Sequence, residues 1–241
     1  MKTIGLIGGM SWESSIEYYR ILNETTKSKL GGLHSAKCII YSVDFAEVEA
    51  LQRQDRWEEA AQLMIAAGQN LERAGADFVV LCTNTMHKLA DEIQSNIHIP
   101  LLHIADATAQ KIKTTGLRKI GLLGTRFTME HDFYKGRLID QHGLEVITPN
   151  SKDRETIHRI IYDELCLGLV KQESRQQYIQ IMEKLVQAGA EGIILGCTEI
   201  ELLVHDGDSQ VPLFPTTRIH AIAAVEYALD AGKSSICLVQ S

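Results

Sequence analysis

Long apolar runs are missing from this 241-residue chain. None approaches the roughly 18 residues of a membrane-spanning helix, so a membrane partner is not expected. Cys-x-x-Cys pairs are missing too. The five cysteines (Cys38, Cys82, Cys166, Cys197, Cys237) are odd in number and far apart, which indicates neither a disulfide framework nor a zinc site. Free thiols in a cytoplasmic protein are the expectation. His103, His158 and the remaining histidines lack metal-ligand spacing, so no metal is expected. No positive excess is present either: the net charge is -7 with mixed signs, which argues against a nucleic-acid partner and leaves a small-molecule substrate open. The start MKTIGLIGGMSW is too short and glycine-rich for a signal peptide and reads as a first strand and turn. Its GGMSWES segment lacks Gly-x-Gly-x-x-Gly, so no dinucleotide fingerprint is present, although it could begin an anion-binding helix.

What is present is a globular composition, 45% hydrophobic and 23% charged, sufficient for one large domain or two small ones. Runs with strand character are IGLIGG (4–9), CIIYSVDF (38–45), FVVLCT (78–83), IPLLHI (99–104), IGLLGT (120–125), EVITP (145–149), GIILGCT (192–198) and VPLFP (211–215). Their nearly continuous apolar character predicts strands buried on both faces, as in a parallel sheet. Helical segments lie between them, at 12–30, 57–74, 154–165 and 174–188. This alternation predicts an α/β fold with right-handed crossovers.

The two halves resemble each other. LERAGADFVVLCTNT (71–85) aligns with LVQAGAEGIILGCTE (185–199) at a constant offset of 114. Duplication predicts two α/β domains in pseudo-twofold symmetry, 1–103 with 217–230 and 104–216, and a cleft between them. The tail after Asp230 is expected to be peripheral. Ligands of open α/β sheets bind beyond the carboxyl ends of strands. Gly8-Gly9, Thr83-Asn84-Thr85, Gly124-Thr125 and Cys197-Thr198 fall at such ends. The offset sets Cys82 opposite Gly196 and Thr83 opposite Cys197, and one residue's difference turns a side chain to the other face of a strand. Cys82 is therefore expected beside the sheet.

A cysteine where a strand gives way to a helix is placed for thiolate formation, because free N–H groups and the helix dipole lower the thiol pKa. For Cys197 the following TEIELLV supplies such a start, with Thr198 as cap. Two acid/base groups on opposite sides of a carbon would exchange its proton from both faces, which is racemisation or epimerisation. The bland reading of a strand-end cysteine is inert core. The repeat weakens it for Cys197 and not for Cys82. His87 either orients Thr83, caps a helix or is a satisfied core histidine.

GLIGGMSWESSIEYY, LCTNTMHK, LHIADAT, GLLGT and GCTEIELL together resemble the aspartate/glutamate racemase superfamily, especially its enterobacterial amino-acid racemase branch. That resemblance implies two flavodoxin-like domains, an active site at their interface, two-base proton transfer without pyridoxal phosphate or other cofactor, and a homodimer. Typical members read Cys-Asn-Thr at the first site, whereas this chain reads Cys-Thr-Asn-Thr. Aligning Asn84-Thr85 to that motif places Thr83 as first acid/base and Cys197 as second, with Cys82 the alternative. The resemblance implies that Asn84, Thr85 and Thr198 bind the α-carboxylate and ammonium, with Met10 and Thr125 lining the site. Where dicarboxylate-specific relatives carry basic residues, this chain offers Gln52 and Arg53 in one region, and Asp163 and Glu164 in the other. A buried Glu164 would repel a substrate carboxylate, favouring a neutral or basic side chain. A solvated Glu164 is the alternative. The implied substrates are aspartate, glutamate or a broader polar set such as homoserine. Hydantoin racemase, maleate isomerase and a non-catalytic binding protein are the competing readings.

Overall fold

The computed structural model describes residues 1–230. Cys237 and the tail predicted to be peripheral lie outside the described residues. The described residues form two compact units, one from Met1–Ala107 with residues 220–230, the other Thr108–Ile219.

In the first unit the order is β1 (Ile4–Gly8), α1 (Trp12–Leu30), β2 (Cys38–Ser42), α2 (Phe45–Arg53), α3 (Trp57–Arg73), β3 (Phe78–Leu81), α4 (Ala90–Gln94) and β4 (Leu101–Leu102). All strand pairs are parallel, in the order β2-β1-β3-β4. The central strands β1 and β3 are buried along their whole length, while edge strand β2 is partly exposed. Alternate residues serve two cores, as the pleat requires. Ile7, Val79, Leu81 and Leu101 pack against α2, α3 and α4. Ile4, Leu6, Phe78, Val80, Cys82 and Leu102 pack on the opposite face with Tyr18 and Leu22 of α1. Truncating one such residue, for example Leu81→Ala, is expected to cost about 2–5 kcal/mol.

The second unit continues with α5 (Ile104–Lys113), β5 (Lys119–Gly124), α6 (Arg126–Glu130), α7 (Asp132–Asp140), β6 (Glu145–Ile147), α8 (Ser151–Asp163), α9 (Gln172–Gln187), β7 (Gly192–Gly196), α10 (Ile200–Leu203) and β8 (Leu213–Pro215). α11 (Thr216–Leu229) follows, and the unit boundaries fall within α5 and α11. Its sheet repeats the parallel order of the first, β6-β5-β7-β8. Leu123, Ile193 and Leu195 pack against Ile157, Ile160 and Ile161 of α8 and Tyr178, Ile181 and Leu185 of α9. Each unit therefore carries the α/β alternation predicted from the sequence, in the flavodoxin-like arrangement that the family resemblance implies, with the topological switch between its two central strands.

Local chemistry trims the predicted elements. The IPLLHI run yields only a two-residue strand because His103 opens α5. Its carbonyl accepts from Asp106 and Ala107 N–H, and its Nδ1 accepts from Ala105 N–H at 3.1 Å. CIIYSVDF stops at Ser42 because Asp44 caps α2, its carboxylate accepting from Ala46 N–H at 3.0 Å.

Candidate active site

β1 ends in a glycine pair, and the second glycine has no room for a side chain. Gly9 sits at φ 94°, and a Cβ there would collide with the Val43 carbonyl oxygen. Its N–H donates to Ser15 Oγ at 2.7 Å, and Ser11 caps α1. Met10, next in the chain, is buried in the core with Ile7, Val48 and Met86. Gln52 of α2 also points inward, donating from Nε2 to Met86 Sδ at 2.9 Å. Its neighbour Arg53 is solvent-exposed beside Glu49.

Beyond β3, Cys82 N–H donates to the Ile7 carbonyl and Thr83 N–H turns back onto the Leu81 carbonyl, each at 2.9 Å. Asn84 and Thr85, both buried, open a single 3-10 turn, Thr85–Leu89. His87 within that turn accepts from Ile104 N–H through Nε2 at 3.1 Å. The proton therefore resides on Nδ1, which donates to the Thr83 carbonyl at 2.7 Å. One buried ring thus bonds the backbone carbonyl of Thr83 and the first N–H of α5.

In the second unit Thr125 caps α6, its Oγ1 accepting from Thr128 N–H at 3.3 Å. Gly124 and Gly196 pair across β5 and β7, and a Cβ on either would lie within 2.8 Å of a carbonyl oxygen of the other strand. Cys197 follows directly, 8% exposed. Its Sγ donates to Glu199 Oε2 at 2.9 Å, and Thr198 Oγ1 donates to the same oxygen at 2.6 Å.

The two sheets have matching registers. Leu81 pairs with Ile7 in one and Leu195 with Leu123 in the other, which reproduces the 114-residue offset. Thr83 and Cys197 each lie two residues past those pairs. Leu81 and Leu195 serve equivalent faces of their sheets, and Cys197 shares the core of Leu195. Cys82 lies on the opposite face of its sheet, in the core under α1. Burial, reinforced by the nearby Cys38, pushes the Cys82 thiol far above its ordinary pKa.

With these strand ends in place, the comparison that decides the family is direct: the Asp/Glu/hydantoin racemase pattern matches residues 7–224. The chain belongs to that family. It is accordingly an isomerase of the Asp/Glu racemase superfamily. A candidate Asp/Glu racemase from Yersinia pestis is 59% identical, covers 95% of this chain and 100% of its own, and superposes with a TM-score of 0.90. An aspartate racemase homologue from Pyrococcus horikoshii is 38% identical over the same shares, with a TM-score of 0.82. A broad-specificity amino-acid racemase from Bacillus subtilis is 26% identical over 70% of this chain and 72% of its own.

Two expectations about this racemase-family site change with the geometry, and an alternative left open for Glu164 is decided. The helix predicted to lower the Cys197 pKa is only the four-residue α10, with Glu199 rather than Thr198 at its N-cap. Burial, then the Glu199 carboxylate, pushes the Cys197 thiol well above its ordinary value. The thiolate-favouring helix start is therefore overturned. Thr198 directs its single proton to Glu199, so in this arrangement it can accept from an ammonium but not donate to a carboxylate. Glu164 is not a solvated helix residue. It is buried, accepts from Ser174 Oγ at 2.6 Å, and lies 3.4 Å from Lys171 and 3.7 Å from Arg159, whereas Asp163 is exposed.

Glu199 is a polar residue of this site that the sequence pattern does not single out. In CTEIE it reads as one of two acidic residues opening a helix, and only the fold shows it 4% exposed against the thiol. Among the described residues, no group of three or more His, Cys, Asp or Glu side chains is placed to hold a metal ion, and no helix is long and apolar enough to cross a membrane.

Proposed function

We propose that this family member is an amino-acid racemase that needs neither pyridoxal phosphate nor metal and exchanges the α-proton through two acid/base groups, Thr83 and Cys197. The observation that carries this reading is the shared register of the strand ends, which gives the two residues equivalent positions and leaves Cys82 on another face. In one direction the Cys197 sulfur takes the α-proton and the carbanion electron pair delocalises into the substrate carboxylate. A proton then arrives on the other face from the Thr83 hydroxyl or a water it orients. A threonine hydroxyl is a far weaker acid and base than a thiol pair, so the two directions differ in turnover number and Michaelis constant. They share one equilibrium, since enantiomers have equal free energy in water.

Asn84, Thr85, Thr125 and Thr198 are the proposed ligands for the amino-acid core, with Met10 and Gln52 beside them. Glu164 supports a neutral polar or basic substrate side chain, such as that of homoserine, over a second carboxylate. Chiral chromatography tests the reading directly. Each enantiomer of aspartate, glutamate, homoserine, glutamine and lysine is incubated with metal-free, cofactor-free protein. Conversion toward equal enantiomers of at least one amino acid is expected; no conversion of any contradicts the reading.

A further inference from the structure

The proposed chemistry leaves a difficulty at its thiol. A buried Cys197 whose pKa is pushed up by burial and a neighbouring carboxylate carries almost no thiolate at neutral pH. Tyr178, also buried nearby, is pushed up by burial and then by Cys197, and as a phenol it stays neutral beside the thiol. Cys166 also pushes the thiol up, and Glu164, which acts on Tyr178, lies beside Lys171 and Arg159 and not beside the sulfur. A free thiolate is therefore not the resting form.

A different arrangement is present at that place. Glu199 is a buried carboxylate, costly to hold away from water unless hydrogen bonds satisfy it. Two donors meet its Oε2, the Cys197 thiol at 2.9 Å and the Thr198 hydroxyl at 2.6 Å. The sulfur's proton already points at Glu199 Oε2, a carboxylate oxygen able to take it. We infer that Glu199 is the positioning residue and proton store of Cys197, so that thiol and carboxylate act as one unit of net charge -1. This rests on the racemase reading for its catalytic consequence.

The proton balance is explicit. At rest the pair is Cys197–SH with Glu199–COO⁻. The thiol proton passes to Oε2, giving S⁻ and COOH. The sulfur then takes the substrate α-proton, giving SH and COOH, and the single negative charge now resides on the substrate carbanion. After protonation from the Thr83 side, the additional proton held by the pair returns to Thr83 through solvent. Charge leaves the pair only as the carbanion forms, so no bare buried thiolate has to be maintained between turnovers.

The test uses the full-length protein as Glu199→Gln and Glu199→Asp beside wild type. Cys197 alkylation by iodoacetamide is followed against pH by mass spectrometry of its peptide, and α-proton exchange of the best substrate is followed in D2O. Removing the negative charge in Glu199→Gln lowers the thiol pKa, so alkylation at pH 7 rises about tenfold, the ratio of one pKa unit. In the same variant kcat for exchange falls about a hundredfold, the scale of a lost proton-transfer partner, with KM nearly unchanged. Glu199→Asp, which keeps the acid, recovers part of kcat.

These opposite movements are the signature, because a structural role gives slower exchange without an easier thiol ionisation. An unchanged alkylation profile, or exchange in Glu199→Gln as fast as wild type or faster, overturns the assignment. If wild type exchanges no amino acid, the racemase reading fails by itself. The alkylation profiles then still decide the pairing: a shift in Glu199→Gln supports it and no shift overturns it.

Discussion

His87 and Thr83 are joined by a 2.7 Å hydrogen bond from the imidazole Nδ1 to the threonine carbonyl, while the other ring nitrogen accepts from Ile104 N–H. One buried ring thus fixes the turn that carries the proposed first acid/base and ties it to the start of α5. His87→Ala leaves a part-buried carbonyl and a buried N–H without this partner, the buried N–H alone costing about 1–3 kcal/mol. The expected outcome is a stability loss of about 2–4 kcal/mol in urea unfolding. Any folded fraction is expected to show a lower kcat.

Cys82→Ala is expected to retain racemisation within about threefold while losing about 1–2 kcal/mol of stability, because Cys82 serves as a small core hydrophobe. Steady-state rates and denaturant midpoints measured on the same preparation check both halves.

Burial pushes the His220 imidazole down to about 4. The neutral ring is held by the Tyr18 hydroxyl at Nδ1, 2.8 Å away, and the Leu102 carbonyl at Nε2, 2.9 Å away. The folded pKa lies below the unfolded value near 6.5, so the native state favours the neutral form. That contribution is fully present above about pH 6.5 and is lost as pH falls toward 4, amounting to about 3 kcal/mol. His220→Gln should be less stable at pH 7 and show a flatter fall in Tm between pH 6.5 and 4. A parallel fall in both proteins would exclude His220 as its source.

Glu164→Gln removes a buried negative charge while keeping a group for the Ser174 hydroxyl, now 2.6 Å away, to meet. The ratio of kcat/KM for aspartate over homoserine is expected to rise about tenfold, equivalent to roughly 1.4 kcal/mol. An unchanged ratio would place Glu164 outside substrate selection.

The sequence exposed the fold most clearly where strands are buried on both faces. β1, β3, β5 and β7 carry continuous apolar runs, and the repeat between them survives as matching sheet registers. Elements decided by a single side chain were less legible. The α2 start depends on the Asp44 cap and the end of β4 on His103, neither of which an apolar pattern records. At the site, the strand-end positions were readable from the 114-residue offset. The state of Cys197 was not, because it depends on α10 being one turn long and on Glu199 folding back against the thiol. Glu164 shows the same limit, since its burial depends on Ser174, ten residues further along the chain.

The central claim is that Thr83 and Cys197, and not Cys82, exchange the substrate α-proton. Its most direct test is proton NMR of α-hydrogen loss in D2O for both enantiomers, with wild type beside Thr83→Ala, Cys197→Ala and Cys82→Ala. The account predicts exchange in wild type and Cys82→Ala, and a fall of about a hundredfold or more in the other two. Exchange abolished in Cys82→Ala and retained in Thr83→Ala would contradict it.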